Sequence, residues 1–318
     1  MADDGAAEKK TPGEKSSPAE KDGEDSPFNF VTVDGDVFMR FPIANMSVAD
    51  HVRSIRNMPM REDDIVIAAF PKCGTHWMWE VTQMLAKGKA EHDSRPKQMV
   101  MVEFTPVEDF EPVPSPRVIN THLFPRQLSR ELVTKRSRVV HVIRNPKDVA
   151  VSMYFHLLQM KGFQDDGVLD LARGFLHGGI SPGSFLDYFA YMKEMTQWQR
   201  EHPEVPVINI YYEDAKKDLV KCVRQLAEFL KVDASDQLCE DIADQCSFKK
   251  LKQADETVKV KDKAPDNPIF KDGSLKKMFR KGEVGDWKNY FTVALSEEFD
   301  RVVPENLKGC DLKIQYTI

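Results

Sequence analysis

At 318 residues, with 41% hydrophobic and 30% charged content, the chain has the make-up of a globular protein of one large or two small domains, which excludes collagen-like, coiled-coil-only and wholly disordered architectures. A formal net charge of −6 gives no overall basic field, so the chain is expected to bind neither nucleic acid nor a membrane surface. The longest apolar runs fall far short of the roughly 20 residues that cross a bilayer, and the N-terminus lacks the apolar stretch of a secretory signal, so the expected location is the cytoplasm. The five cysteines (Cys73, Cys222, Cys239, Cys246, Cys310) include no Cys-x-x-Cys pair and suit a reducing compartment better than a disulfide framework or a zinc site.

Residues 1–27 carry eight acids and four lysines but no Leu, Ile, Val or aromatic residue, and are expected to form a disordered acidic tail ahead of a single domain over 28–318. The run Asp64 to Phe70 (DIVIAAF) is near-continuously apolar, as in a strand buried on both faces, and Thr75 to Lys87 then reads as a helix ending at Gly88. The same alternation recurs at 117–120 before 127–133 and at 138–143 before 147–159. A long helical stretch follows at 184–201, whose Phe185, Tyr188, Phe189, Tyr191 and Trp198 have core spacing, and then 205–211 precedes a helix over 216–230. Alternating strands and helices predict an α/β fold: a doubly wound parallel sheet with helices on both faces and a phosphate-binding strand-loop-helix. Ligands of such sheets bind at the carboxyl ends of the strands. Residues 249–282 hold eleven Lys or Arg against five acids, a local basic excess that reads equally well as a solvated surface.

Three strand exits carry candidate chemistry. The loop Pro71-Lys72-Cys73-Gly74-Thr75-His76-Trp77 combines a glycine, a helix N-terminus and a lysine, the elements of an anion cradle, but its lysine precedes the glycine and no hydroxyl follows, so it is not a Walker loop. A tight turn with a solvated lysine is the plainer alternative. Arg144 ends the second strand immediately before an Asn145-Pro146 helix start, where it can grip a phosphate or simply bridge to Asp148. His122 leaves a third strand on the same rim and can serve as a general base, whereas His141, flanked by valines inside a strand, reads as a core residue. No metal-ligand spacing occurs, so no catalytic metal is expected.

Taken together, the segments Phe70 to Trp77 (FPKCGTHW), Thr121 to Pro125 (THLFP), Val142 to Ser152 (VIRNPKDVAVS) and Arg280 to Trp287 (RKGEVGDW) resemble the cytosolic sulfotransferases, in family order, from about Val31 to Leu312. The resemblance implies transfer of a sulfuryl group from 3′-phosphoadenosine 5′-phosphosulfate to the hydroxyl or amine of a small hydrophobic acceptor, with adenosine 3′,5′-bisphosphate as product and no metal. It implies that Lys72, Cys73, Gly74, Thr75, His76 and Trp77 hold the phosphosulfate, with Trp77 near the adenine. Arg144, Ser152, Arg280, Lys281 and Gly282 would hold the 3′-phosphate. Tyr212, Cys246, Phe248, Met278 and Phe279 fall at further nucleotide contacts. His122 would be the general base and Lys72 would stabilise the departing oxygen.

By the same resemblance Met101, Phe104, Asn120 and His156 line the acceptor pocket, Ile269 and Phe270 belong to a gating segment, and Lys288, Thr292, Val293 and Glu297 form a homodimerisation motif. Cys73 and His76 replace the usual hydroxyl residues. Asn120 stands where the family commonly has a lysine, so either turnover falls or another cation substitutes. A nucleotide-binding module of the same fold with weak or no turnover, or a phosphotransferase, remains open at this point.

Overall fold

The central sheet consists of the apolar runs singled out above, paired in parallel. A computed structural model of the chain describes residues 30–40, 43, 46–95, 97–178, 186–258, 270–271 and 279–318. Its strands are β1 (Phe30–Val33), β2 (Asp36–Met39), β3 (Ile65–Ala69), β4 (Val118–Thr121), β5 (Arg138–Ile143) and β6 (Val207–Tyr211). The first two make an antiparallel hairpin; the other four form a parallel sheet in the order β4-β3-β5-β6. Every residue of β3 and all but the first of β5 are buried, which is why both read as unbroken apolar runs rather than alternating ones.

The helices are α1 (Val48–Arg56), α2 (Thr75–Lys87), α3 (Glu131–Thr134), α4 (Pro146–Leu157), α5 (Val168–Leu176), α6 (Tyr188–Glu201), α7 (Tyr212–Lys217), α8 (Leu219–Leu230), α9 (Asp236–Gln245), α10 (Phe248–Thr257) and α11 (Val293–Asn306). Among the described residues none is long and apolar enough to cross a membrane.

Two sequence expectations change. The helix expected over 127–133 is a 3-10 turn (Pro125–Gln127) followed by the four residues of α3, because Ser129 Oγ is committed to Met58 O at 2.6 Å and Leu128 adopts an extended conformation. The helix expected over 216–230 belongs to two: Asp218 breaks the chain, and its carboxylate caps α8 by accepting the Lys221 N–H at 2.9 Å.

The parallel register aligns the exits. Ala68 pairs with Thr121 on one side and His141 on the other, and Ala69 with Val142, so the residues that leave β3, β4 and β5 lie side by side on the carboxyl edge. At the opposite edge Arg117 and Asp64, both buried, lock β3 to β4: Arg117 Nε donates to Asp64 at 2.7 Å and Nη2 to Pro59 O at 3.0 Å. Tyr188, Phe189 and Tyr191 of α6 are buried in the core as expected, Trp198 packs half-buried against it, and Phe185 lies outside the described residues. Phe70 meets Tyr188 edge-on with ring centres 5.2 Å apart, and the Tyr188 hydroxyl donates to Arg144 O at 2.8 Å, anchoring the β5 exit.

Candidate active site at the carboxyl edge of the sheet

The β3–α2 loop is shaped by two left-handed residues, Lys72 (φ 70°) and Gly74 (φ 102°). A Cβ on Gly74 would stand 2.8 Å from the Tyr212 ring, so glycine is required there for packing as well as for conformation. No side chain caps the N-terminus of α2, which leaves its first N–H groups to a ligand, and the buried Thr75 hydroxyl has no partner. Cys73 lies wholly buried beneath the loop; burial pushes its thiol well up, so it stays neutral and acts as core filling.

Arg144 is tied into both neighbouring loops. Its Nη1 donates to Lys72 O at 3.2 Å, its Nη2 to Glu283 O at 3.0 Å, and its guanidinium stacks 4.2 Å from the centre of the Tyr212 ring, leaving Nε unpartnered. Asp148, the alternative partner, is 4.0 Å away and is otherwise engaged, accepting the N–H groups of Gly285 (2.8 Å) and Trp287 (3.0 Å). That contact brings the 142–152 and 280–287 segments together. Arg280 Nη2 and Lys281 Nζ each lie 2.6 Å from the Asp286 carboxylate, while Arg280 keeps Nε and Nη1 buried and free. Ser152, half-buried on α4, takes part in none of these contacts.

An aromatic wall closes this half of the site. Trp77 donates its indole N–H to Cys246 O at 2.9 Å and meets Tyr212 edge-on at 5.3 Å. Phe279 packs against His76 (5.1 Å) and Phe248 (6.0 Å). Gly282, at φ 67°, passes so close to Phe248 that a Cβ would fall 2.2 Å from its ring. Met278 and Ile269 lie outside the described residues.

The other half centres on His122. Its Nδ1 lies 2.6 Å from Ala69 O, a carbonyl that only accepts, so the proton of the neutral ring sits on Nδ1 and Nε2 is a bare acceptor. Burial first, then the charge of Lys97, hold the ring down to about 3 against the opposing hydrogen bond to Ala69, with Lys72 the smallest contributor. Lys72 is lowered to about 7 by burial, then by Lys97, Arg144 and Arg280.

Beneath His122, Glu103 accepts the His122 backbone N–H and the Thr121 hydroxyl (3.0 Å), and burial pushes its carboxyl up to about 7. His156, packed 5.8 Å from Phe270, is held well below its usual range by burial and by Lys72, His122 and Lys97, and its Nδ1 is unpartnered. Met101 is buried and bridged to Asn120, and Phe104 is half-buried beside it. Asn120 is buried with both side-chain polar atoms unpartnered. His141 is the core residue expected, bonded through Nδ1 to Asn209 at 2.9 Å.

Residues 62–311 match the family described as Sulfotransferase domain. The chain is 34% identical over 269 residues to Sulfotransferase 1E1 of Cavia porcellus, covering 81% of this chain and 88% of that protein. It is 31% identical over 278 residues to Sulfotransferase 6B1 of Danio rerio, covering 84% and 86%. The chain belongs to the sulfotransferase domain family. Its fold matches that of mouse sulfotransferase SULT7A1 complexed with PAP, with a TM-score of 0.68 and 27% identity over 90% of this chain and 96% of that one.

Two residues of this sulfotransferase site escaped the sequence reading. Glu103 carried a faint signal, a lone carboxylate in the apolar run Met99 to Phe104. Lys97 carried none, because its neighbours Arg95, Pro96 and Gln98 suggest an exposed loop; in the structure it is 5% exposed.

Proposed function

We propose that this sulfotransferase moves the sulfuryl group of 3′-phosphoadenosine 5′-phosphosulfate to the hydroxyl, or amine, of a small hydrophobic acceptor, with His122 as general base. The observation that carries the proposal is the His122–Lys72 pair: a neutral imidazole with a bare Nε2, held by Ala69 O, within electrostatic reach of a half-buried lysine. An anion cradle with unpartnered donors at Thr75, Arg144 and Arg280 supports a nucleotide bearing several negative charges. In this reading Lys72, Gly74, Thr75 and His76 hold the 5′-phosphosulfate, with Cys73 contributing to the loop backbone only. Arg144, Ser152, Arg280, Lys281 and Gly282 hold the 3′-phosphate, and Trp77, Tyr212, Cys246, Phe248, Met278 and Phe279 enclose the nucleoside.

The donor supplies the sulfuryl group and the bisphosphate leaving group. His122 Nε2 takes the acceptor proton as the new bond forms, and Lys72 compensates charge developing on the departing oxygen. A sulfuryl group carries less charge in transfer than a phosphoryl group, so side-chain cations serve and no metal is invoked. Met101, Phe104 and Phe270 offer apolar surface, with neutral His156 and the Asn120 amide as hydrogen-bonding groups, which suits a hydrophobic alcohol or phenol.

We further propose a cytoplasmic homodimer of a single domain preceded by the acidic tail, which lies outside the described residues. Lys288, Thr292, Val293 and Glu297 are all exposed, on a 3-10 turn and the first turns of α11, and Val293 is an apolar side chain 76% exposed. Light scattering at micromolar concentration should give twice the chain mass, and Val293→Glu should halve it.

The first test is calorimetric titration with adenosine 3′,5′-bisphosphate beside ATP, followed by an acceptor screen with the sulfuryl donor. Micromolar or tighter binding that discriminates against ATP, and sulfated product lost in His122→Ala, are expected. Binding without product from any acceptor would leave a nucleotide-binding module instead.

A further inference from the structure

We propose that Lys97 supplies the second positive charge at the sulfuryl-transfer position, where Asn120 contributes an uncharged amide. The inference rests on the transferase reading above and adds to it a residue outside the four motifs. Lys97 opens a 3-10 turn (Lys97–Val100) from which the chain runs straight onto β4: Met101 bridges to Asn120, and the Val102 N–H donates to Asn120 O at 3.1 Å. The turn is thereby fastened beside the end of β4 that also presents His122.

The electrostatic neighbourhood agrees with that placement of the turn. Of the charged groups acting on Lys72 it is the strongest, it is likewise the strongest on His122, and it acts on His156 as well. These three groups leave β3, β4 and α4 at the edge beside which the Lys97 turn is fastened. A structural lysine with 5% exposure would be expected to sit on a carboxylate. Lys97 forms no ion pair among the described residues. The one carboxyl that acts on it, Glu103, is spent on Thr121 and the His122 backbone through Oε1, and its Oε2 is unpartnered. A buried cation without an ion pair, on a turn fastened to the strand that carries an amide whose Nδ2 and Oδ1 are unpartnered, is complementary to an incoming anionic group.

In the step this serves, the acceptor oxygen forms a bond to sulfur and the bond from sulfur to the 5′-phosphate oxygen breaks. The electron pair leaves with the phosphate oxygen and the acceptor proton goes to His122 Nε2. Lys72 then compensates the charge on the departing phosphate oxygen, and Lys97 the charge on the sulfuryl oxygens.

The experiment compares wild type, Lys97→Met, Lys97→Gln and Lys97→Met/Asn120→Lys, each checked for folding by its melting curve. With a turned-over acceptor, kcat of Lys97→Met should fall about 100-fold, the loss typical of one deleted charge-stabilising donor. Affinity for adenosine 3′,5′-bisphosphate should stay unchanged, and Asn120→Lys should restore most of kcat by returning a cation to the same place. Binding of inorganic sulfate to the bisphosphate complex, which needs no turnover, should weaken about tenfold in both single variants. Unchanged kcat and sulfate affinity, or a rise in KM alone, would overturn the proposal, the latter making Lys97 an acceptor-recognition residue. A wild type that binds bisphosphate and yields no product refutes the transferase reading, and the sulfate titration still decides for or against Lys97.

Discussion

The two halves of the site are built on opposite plans. On the nucleotide side the framework is tied together by the protein's own bonds, with Arg144 holding the loop carbonyls of Lys72 and Glu283, Asp148 holding Gly285 and Trp287, and Asp286 holding Arg280 and Lys281, while Thr75 Oγ1, Arg144 Nε and Arg280 Nε and Nη1 are left as donors for a ligand. On the acceptor side no such framework holds the polar groups. Lys97, Asn120, His156 and one oxygen of Glu103 are buried or half-buried with few partners, and burial displaces the titration of the lysine, the histidine and the carboxyl. A cradle that binds an anion can be preassembled by the protein's own hydrogen bonds. A transfer position must leave its charges uncompensated until the reacting group arrives, which costs stability and supplies catalysis.

That contrast can be broken from either side, and His122→Ala should have the largest kinetic effect. Losing the base should lower kcat by about 10²- to 10⁴-fold while calorimetry shows unchanged bisphosphate affinity. Arg117→Ala, at the far edge of the sheet, probes stability alone: removing one member of the buried Asp64 pair should cost about 3–5 kcal/mol by denaturant unfolding, with kcat per folded molecule unaltered.

Arg144→Ala should weaken bisphosphate binding about 10- to 100-fold, the equivalent of one or two charge-assisted bonds, and leave the His122 step intact once the site is saturated. Gly282→Ala should do so more mildly, since Phe248 must shift to admit the Cβ and the φ of 67° becomes strained; a variant that binds like wild type would show that the aromatic wall is looser than its packing indicates.

The smallest effect is the pH dependence of Lys72. The cation binds the anionic ligand, so bisphosphate affinity should decline by up to about tenfold per pH unit as pH rises above about 7. Between that value and the ordinary 10.5 the unfolded chain holds the proton that the folded chain has released, so the unliganded protein should gain stability as pH rises through this window. Lys72→Met should flatten both slopes.

Lys72, His122 and Arg144 were legible because each follows immediately on a strand whose apolar run is plain, and a parallel register puts the residues after such runs on one edge. The end of the helix at Gly88 and the start at Asn145 were legible for an equally local reason: a left-handed glycine and a side chain that caps the Asp148 N–H at 2.8 Å. Asp218 was misread as lying inside one long helix, since the apolar spacing continues across it and only the cap geometry reveals the break. The β1–β2 hairpin was missed because it is short and gains its footing from α1, where Arg56 reaches Asp34 at 2.9 Å and Asp36 at 2.5 Å.

The alternation of apolar runs with helical segments determined the α/β fold, and the motifs at the strand exits determined the family and the chemical types at the nucleotide side. Periodicity and caps are properties of neighbouring residues, so no folding is needed to read them. The fate of Lys97 and Glu103 was decided by tertiary structure alone. A segment with the look of an exposed turn is drawn onto β4 through Met101 and Val102, and its charges become buried beside residues distant in sequence. Burial and the company of other charges set what an ionisable group can do, and both exist only once the chain has folded.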